Sequence, residues 1–200
     1  VTLVVLKVFH EFGHAYACKR FGGHVPEMGA YLILFTPCAY VDATASWGFN
    51  RKSERIIVCL AGMYIESIFA ALAVFVWALT PPSLIHSVAY NVMFLASVVT
   101  IFFNINPLMR YDGYYMLSDL TEVPNLRERS ARFVTGVAKR RLLGIRDPHP
   151  PQALRLKALL VGYGVAAAVY RVGLVIAIAA LLASKMLVGG VLLGGLYLGS

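Results

Sequence analysis

Val4-Val5-Leu6-Lys7-Val8-Phe9-His10-Glu11-Phe12-Gly13-His14-Ala15-Tyr16-Ala17 is an apolar run with His-Glu-x-x-His set inside it. Histidines four apart on a helix lie nearly one above the other, so both imidazoles can reach one metal ion. Three protein ligands plus an open water position is the usual layout of catalytic zinc. Glu11 sits about 100° round the helix from His10. That places it to act as the base for a metal-bound water. The plain alternative is a pair of buried histidines flanking a glutamate. Ionisable groups inside an apolar helix are expensive unless they do something, which argues against it.

Around this run the chain reads as membrane protein. Of its 200 residues 59% are hydrophobic and 14% charged, and its mean hydropathy is +0.71. A soluble domain is closer to half apolar and a quarter charged. The net charge of +8 does not imply nucleic acid, because the basic residues cluster beside apolar spans, where cytoplasmic membrane loops keep them. Cys18, Cys38 and Cys59 form no Cys-x-x-Cys pair, so neither a disulfide framework nor a zinc ribbon follows. The sequence opens at Val1 and closes inside an apolar run, and it reads as a piece of a longer polypeptide.

Helix one is expected over Val1 to Ala17, ended by Gly22-Gly23. Met28 to Phe35 is too short to span a bilayer and reads as a strand, with Pro37 as the turn and Cys38 to Asp42 as the return strand. Asn50 to Arg55 is a charged, solvated stop. Helix two runs from about Ile56 to Leu79, with Glu66 as its only charge, and Pro81-Pro82 end it. Helix three runs from about Ser87 to Ile105 and ends at Asn106-Pro107. A short helix over Tyr114 to Leu120 follows. Residues 125–157 are basic, with apolar residues interleaved as in an amphipathic helix on an anionic membrane surface. Asp147 to Pro151 reads as a linker. Helix four, about Ala158 to Ala183, is apolar apart from Arg171, and Met186 to Gly199 looks like a truncated fifth span. Lys and Arg crowd the loops after helices one and three and are absent after helix two, so the first and third loops are expected in the cytoplasm. The ends of helices one and three then share a side, and Asp112 can sit at the depth of His10 and His14.

Two histidines need a third partner. Position 20, six after His14, is Arg. His24 could fold back beyond the Gly-Gly break. Asp112 is the stronger candidate, because Asn106-Pro107 breaks the helix and Asp112-Gly113 can turn a carboxylate back, although a surface turn Asp fits the same spacing. Glu66 is mid-span, and is either a structural polar contact or a partner to a zinc histidine. Asn104 and Asn106 could donate to a substrate carbonyl or satisfy backbone groups freed by Pro107. Arg171 could snorkel or pair with Glu66. Trp47, Trp77 and Tyr90 read as interface anchors.

His10-Glu11-Phe12-Gly13-His14 in a first helix, with Asn106-Pro107-Leu108-Met109-Arg110-Tyr111-Asp112-Gly113 after a third, resembles the site-2 protease family of intramembrane zinc metalloproteases. Thr36-Pro37-Cys38-Ala39-Tyr40-Val41-Asp42 and Arg110-Tyr111-Asp112-Gly113-Tyr114-Tyr115 look like its bacterial subgroup named "putative peptide zinc metalloproteases". The resemblance covers about residues 1–120. It implies an all-α membrane protein: a polytopic bundle with a three-helix catalytic core, one or two further helices and a small membrane-associated β-hairpin. Residues 1–124 would be the zinc metalloprotease core, 125–157 a basic amphipathic cytoplasmic segment, and 158–200 C-terminal membrane helices. It implies Zn2+ held by His10, His14 and Asp112, with Glu11 as general base, and Glu66, Asn104 and Asn106 as second-shell or substrate-contact candidates. The expected activity is hydrolysis of membrane-embedded or membrane-bound peptides in a bacterial inner or plasma membrane. A secretion or export subunit is an expected partner. The rival reading is a non-proteolytic zinc-binding subunit of a peptide maturation or export assembly. Gly62-Met63-Tyr64-Ile65-Glu66 departs from the Gly-Pro-x-x-Asn common in the family's middle helix.

Overall fold

A computed structural model describes residues 2–33, 36–144 and 153–198, with the backbone alone at 33, 99, 101, 142, 143 and 185–198. It contains six α-helices, a hairpin, a 3-10 turn and a π turn among the described residues. These are α1 (Thr2–Arg20), β1 (Met28–Ile33), β2 (Thr36–Val41), α2 (Lys52–Leu79), α3 (Leu84–Val99), α4 (Asp112–Thr121), α5 (Leu126–Leu143) and α6 (Leu154–Leu198). The 3-10 turn is Thr44–Gly48 and the π turn Thr100–Asn104. The chain forms two compact units, Val1–Pro124 and Asn125–Ser200.

Among the described residues, three helical stretches are long and apolar enough to cross a membrane: Lys52–Leu79, Leu84–Asn104 and Leu154–Ser184. Helix α1 is not among them, because Lys7, Glu11, Lys19 and Arg20 interrupt its apolar run. The chain is a multi-pass membrane protein dominated by helices, with one small hairpin.

In the first unit α2 packs against both α1 and α3. Gly13 makes the α1–α2 contact close. A Cβ there would lie 2.7 Å from the Ala61 carbonyl oxygen. Below the crossing, Ala17, Cys18 and Val58 form a small core, with Phe21, Phe49 and Ala61 packed on it. Helix α1 runs three residues past the expected Ala17 and stops where Gly22 takes a left-handed φ of +81°. The Gly23 amide then caps the Cys18 carbonyl at 2.9 Å.

The hairpin is antiparallel, with Met28 opposite Val41 and Ile33 opposite Thr36. Pro37 does not form the turn as the sequence suggested. It sits in β2 opposite Leu32, which a two-stranded sheet tolerates because each strand has a free edge. The expected strand end at Leu34-Phe35, and the linker at Asp147–Pro151, lie outside the described residues.

Helix α2 begins four residues before Ile56. Arg55 explains the early start: its Nε donates to Asp119 at 2.9 Å and its Nη1 to the Phe49 carbonyl at 2.9 Å. Lys52 donates to the Leu120 carbonyl at 2.7 Å. These bonds hold α4, which Asp112 opens, against the start of α2. Helix α3 starts at Leu84 rather than Ser87, since Ser83 caps it by accepting from the His86 amide.

In the second unit α5 packs on α6. Leu126 and Ser130 are fully buried, and a Cβ on Gly164 would lie 2.9 Å from Val134. That face of α5, expected on a membrane surface, is covered by protein. The α6 backbone continues to Leu198 without a break, so the expected separate fifth span is the same helix. Arg171 Nε donates to the Ala167 carbonyl of its own helix at 3.2 Å.

Candidate metal centre

The four-residue spacing in α1 puts His10 and His14 on its buried face, 4% and 8% exposed. Their Nε2 atoms lie 3.0 Å apart. Asp112 reaches both, with Oδ2 3.1 Å from His10 Nε2 and Oδ1 3.4 Å from His14 Nε2. One ligand atom from each of these residues lies within 4.8 Å of the others. No other group of three or more His, Cys, Asp or Glu side chains among the described residues converges in this way. His24 is exposed and outside the group.

The chain arrives at this geometry by identifiable steps. At Thr100–Asn104 the end of the third span widens into a π turn, closed by the Ile105 amide on the Thr100 carbonyl at 2.9 Å. Asn106 then accepts from the Leu108 amide at 2.9 Å, a side-chain-closed turn around Pro107. This is a backbone-satisfying role for Asn106, whose Nδ2 also donates to the Phe102 carbonyl at 3.4 Å. Gly113 lets α4 come in close, since a Cβ there would lie 2.1 Å from the Ile105 carbonyl oxygen. Gly62 faces the rings themselves. A Cβ on it would stand 2.5 Å from His14 Nε2 and 2.6 Å from His10 Nε2.

Each imidazole is also held from behind. His14 Nδ1 lies 2.7 Å from the Val58 carbonyl. His10 Nδ1 lies 3.1 Å from Glu66 Oε1, off the line of a hydrogen bond, so it is a buried ring nitrogen without an in-line partner. Glu66, 1% exposed, accepts from Thr100 and, at 2.9 Å, from Asn104. Lys7 Nζ donates to Glu66 Oε1 at 2.7 Å and to Asn104 Oδ1 at 3.4 Å. Glu66 and Asn104 therefore sit behind His10, on the far side from Asp112. The partner of Glu66 is Lys7, which sequence reasoning passed over. Its signal was its position three before His10, on the same helical face.

Glu11, His14 and Asp112 open onto one cleft of about 240 Å³. Trp47 and Tyr115 form part of its wall, with ring centroids 6.0 Å apart. Trp47, expected as an interface anchor, thus lines the candidate site. Trp77 instead packs on His86, centroids 5.4 Å apart, at the turn between α2 and α3.

This donor set fits a divalent cation. Two imidazoles and a carboxylate converge, and the Glu11 carboxylate opens onto the same cleft. Excess buried negative charge is costly, and a cation among these ligands would offset it.

Residues 1–92 match the profile of Peptidase family M50. That stretch holds His10, Glu11, His14 and Glu66 and stops short of Asp112. Over 111 residues the chain is 30% identical to the "Putative peptide zinc metalloprotease protein YydH" of Bacillus subtilis (strain 168). The alignment covers 55% of this chain and 42% of that protein, so the chain spans under half the length of this curated relative. No solved structure matches the chain.

Proposed function

We propose, on the premise that residues 1–92 belong to the site-2 protease family, that this chain is an intramembrane zinc endopeptidase. The observation that carries the reading is the convergence of His10, His14 and Asp112 within 4.8 Å, with Glu11 opening onto the same cleft. His10, His14 and Asp112 would hold Zn2+. When bound, zinc supplies Lewis acidity, which lowers the pKa of water and polarises a peptide carbonyl.

The chain's own groups do the rest. Glu11 takes the proton of the attacking water and passes it to the leaving amine nitrogen. The Val58 carbonyl fixes His14. Trp47 and Tyr115 offer aromatic surface in the cleft wall against which a substrate can pack. A substrate would enter extended, unwound from any helix it forms in lipid, so that a peptide carbonyl can reach the cleft shared by Glu11, His14 and Asp112. Membrane-embedded or membrane-bound peptides are the substrate class that the spans support, in a bacterial plasma membrane. The name of the relative, a peptide zinc metalloprotease, points the same way.

Glu11→Gln tests the reading. It keeps the size of the side chain and removes the base. Zinc content is expected to survive, while cleavage falls by about 10²–10⁴-fold. The readout is accumulation of an uncut membrane peptide in cells carrying the variant, followed by mass spectrometry. If no membrane peptide differs between variant and wild type, proteolysis fails as the function. A zinc-holding, non-proteolytic subunit of an export assembly then takes its place.

A further inference from the structure

We propose that Glu66 and Lys7 form a positioning pair for His10, holding its ring so that Nε2 faces Asp112 and His14. The inference rests on the zinc-site reading above and adds to it two residues that touch neither metal nor substrate.

The geometry points this way because both oxygens of Glu66 are committed. Oε1 takes the Lys7 ammonium at 2.7 Å and faces His10 Nδ1 at 3.1 Å. Oε2 takes Thr100 and, at 2.9 Å, Asn104. A carboxylate gripped at both ends cannot swing about its terminal torsion, so the oxygen facing His10 stays in place. Its donors come from α1 and the π turn, and Glu66 itself from α2. Side chains from α1, α2 and the π turn therefore meet at this one carboxylate. With an acceptor-only group behind Nδ1, the ring proton is directed to Nδ1 and the Nε2 lone pair is left for a metal. The 3.1 Å approach is off the line of a hydrogen bond, and it sets a carboxylate oxygen against Nδ1.

Lys7 has a distinct part. It is one of three ionisable residues in α1 before His14, with His10 and Glu11, and an ammonium in an apolar helix is costly unless paired. Its side chain is 27% exposed against 2% for Glu66, so it reaches in from the rim and screens a carboxylate that water does not reach. It also bonds Asn104, at 3.4 Å, and so ties α1 to the π turn from which the chain departs towards Asp112.

A purely structural salt bridge would make the same contacts, and metal-binding readouts separate the two roles. The full chain in detergent would be compared as wild type, Glu66→Gln, Lys7→Gln and Lys7→Arg. Zinc affinity would be read by competition with a chromogenic chelator, and the ligand field by the visible absorption of the Co2+-loaded protein. Glu66→Gln is expected to weaken zinc by about 10–100-fold and to shift the cobalt bands. Lys7→Gln is expected to move both readouts in the same direction, and Lys7→Arg to restore them. Folded Glu66→Gln and Lys7→Gln proteins with wild-type affinity and an unchanged cobalt spectrum would overturn the proposal. If Glu66→Gln does not fold, the partly exposed Lys7 decides: Lys7→Gln indistinguishable from wild type also overturns it. A wild-type protein that binds no zinc at all would instead sink the metalloprotease reading.

Discussion

His14 Nδ1 lies 2.7 Å from the main-chain carbonyl of Val58, one turn before Gly62 on the neighbouring helix. A carbonyl only accepts, so this contact assigns the ring proton to Nδ1 and leaves the Nε2 lone pair pointing at His10 and Asp112. The acceptor is backbone, which substitution at position 58 does not remove. The tautomer of His14 is thus set by the fold of α2, whereas that of His10 depends on a replaceable side chain. His14 is expected to be the more robust of the two histidines.

Asp112 is expected to be needed for metal. Two histidines alone leave an open, weak site. Asp112→Ala should purify folded, because Arg55–Asp119 and Lys52–Leu120 still hold α4. Metal analysis should then find far less than one zinc per chain. Full occupancy in a folded Asp112→Ala protein would remove Asp112 from the ligand set.

Gly62→Ala is expected to abolish zinc binding although it adds one methyl group. That methyl would stand 2.5–2.6 Å from both imidazoles, and forced overpacking costs about 1–3 kcal/mol. Gly162→Ala in α6 is the control, since nothing lies within 4 Å of a Cβ there. It should leave zinc unchanged and stabilise its helix by about 0.5–1 kcal/mol. Metal content and thermal unfolding of both variants check the pair.

Gly113→Ala should act through the backbone instead. The added Cβ meets the Ile105 carbonyl at 2.1 Å, and neither is the end of a flexible side chain. Helix α4 must shift, carrying Asp112 with it. Zinc should weaken by at least about tenfold, the low end of what disturbed ligand support costs, while α1 and α2 keep their protection in hydrogen exchange. Loss of protection throughout α1 and α2 would mean that the glycine supports the whole unit.

The Lys/Arg distribution predicts that residues 18–55 and 107–157 face the cytoplasm. In a cysteine-free background, Ser83→Cys should react with a membrane-impermeant thiol reagent in intact cells and Arg140→Cys should not. The reverse pattern would invert the topology.

Much of this was legible in the sequence because it depends on local spacing. Apolar length marked the later spans, and a four-residue interval placed His10 beside His14. Pro107 and Asp112-Gly113 allowed either a returning carboxylate or a surface turn Asp, and the family resemblance, not the spacing, favoured the first. The rest depends on how helices rotate against each other, which no local pattern encodes. Lys7 carries no assigned role in the sequence until the fold brings Glu66, 59 residues on, within 2.7 Å. Gly62 reads as a small residue in a span until two imidazoles occupy the space its missing side chain leaves. Pro37 was misread as a turn because its ring fits a turn and the edge of a two-stranded sheet equally well. The extent of α6 was hidden because its 45 residues are about twice what one span needs.

The π turn at Thr100–Asn104 limits how this chain can change in length. Closing Ile105 onto Thr100 uses one residue more than an α-helical turn. Deleting one residue there would replace the wide turn with an ordinary helical one and change the angle between Thr100 and Asn104, which both reach Glu66. The Thr80–Ser83 connection ends no such alignment and could gain or lose a residue at little cost. Insertions and deletions among relatives with the same centre should therefore fall between the second and third spans, and spare the last turn of the third.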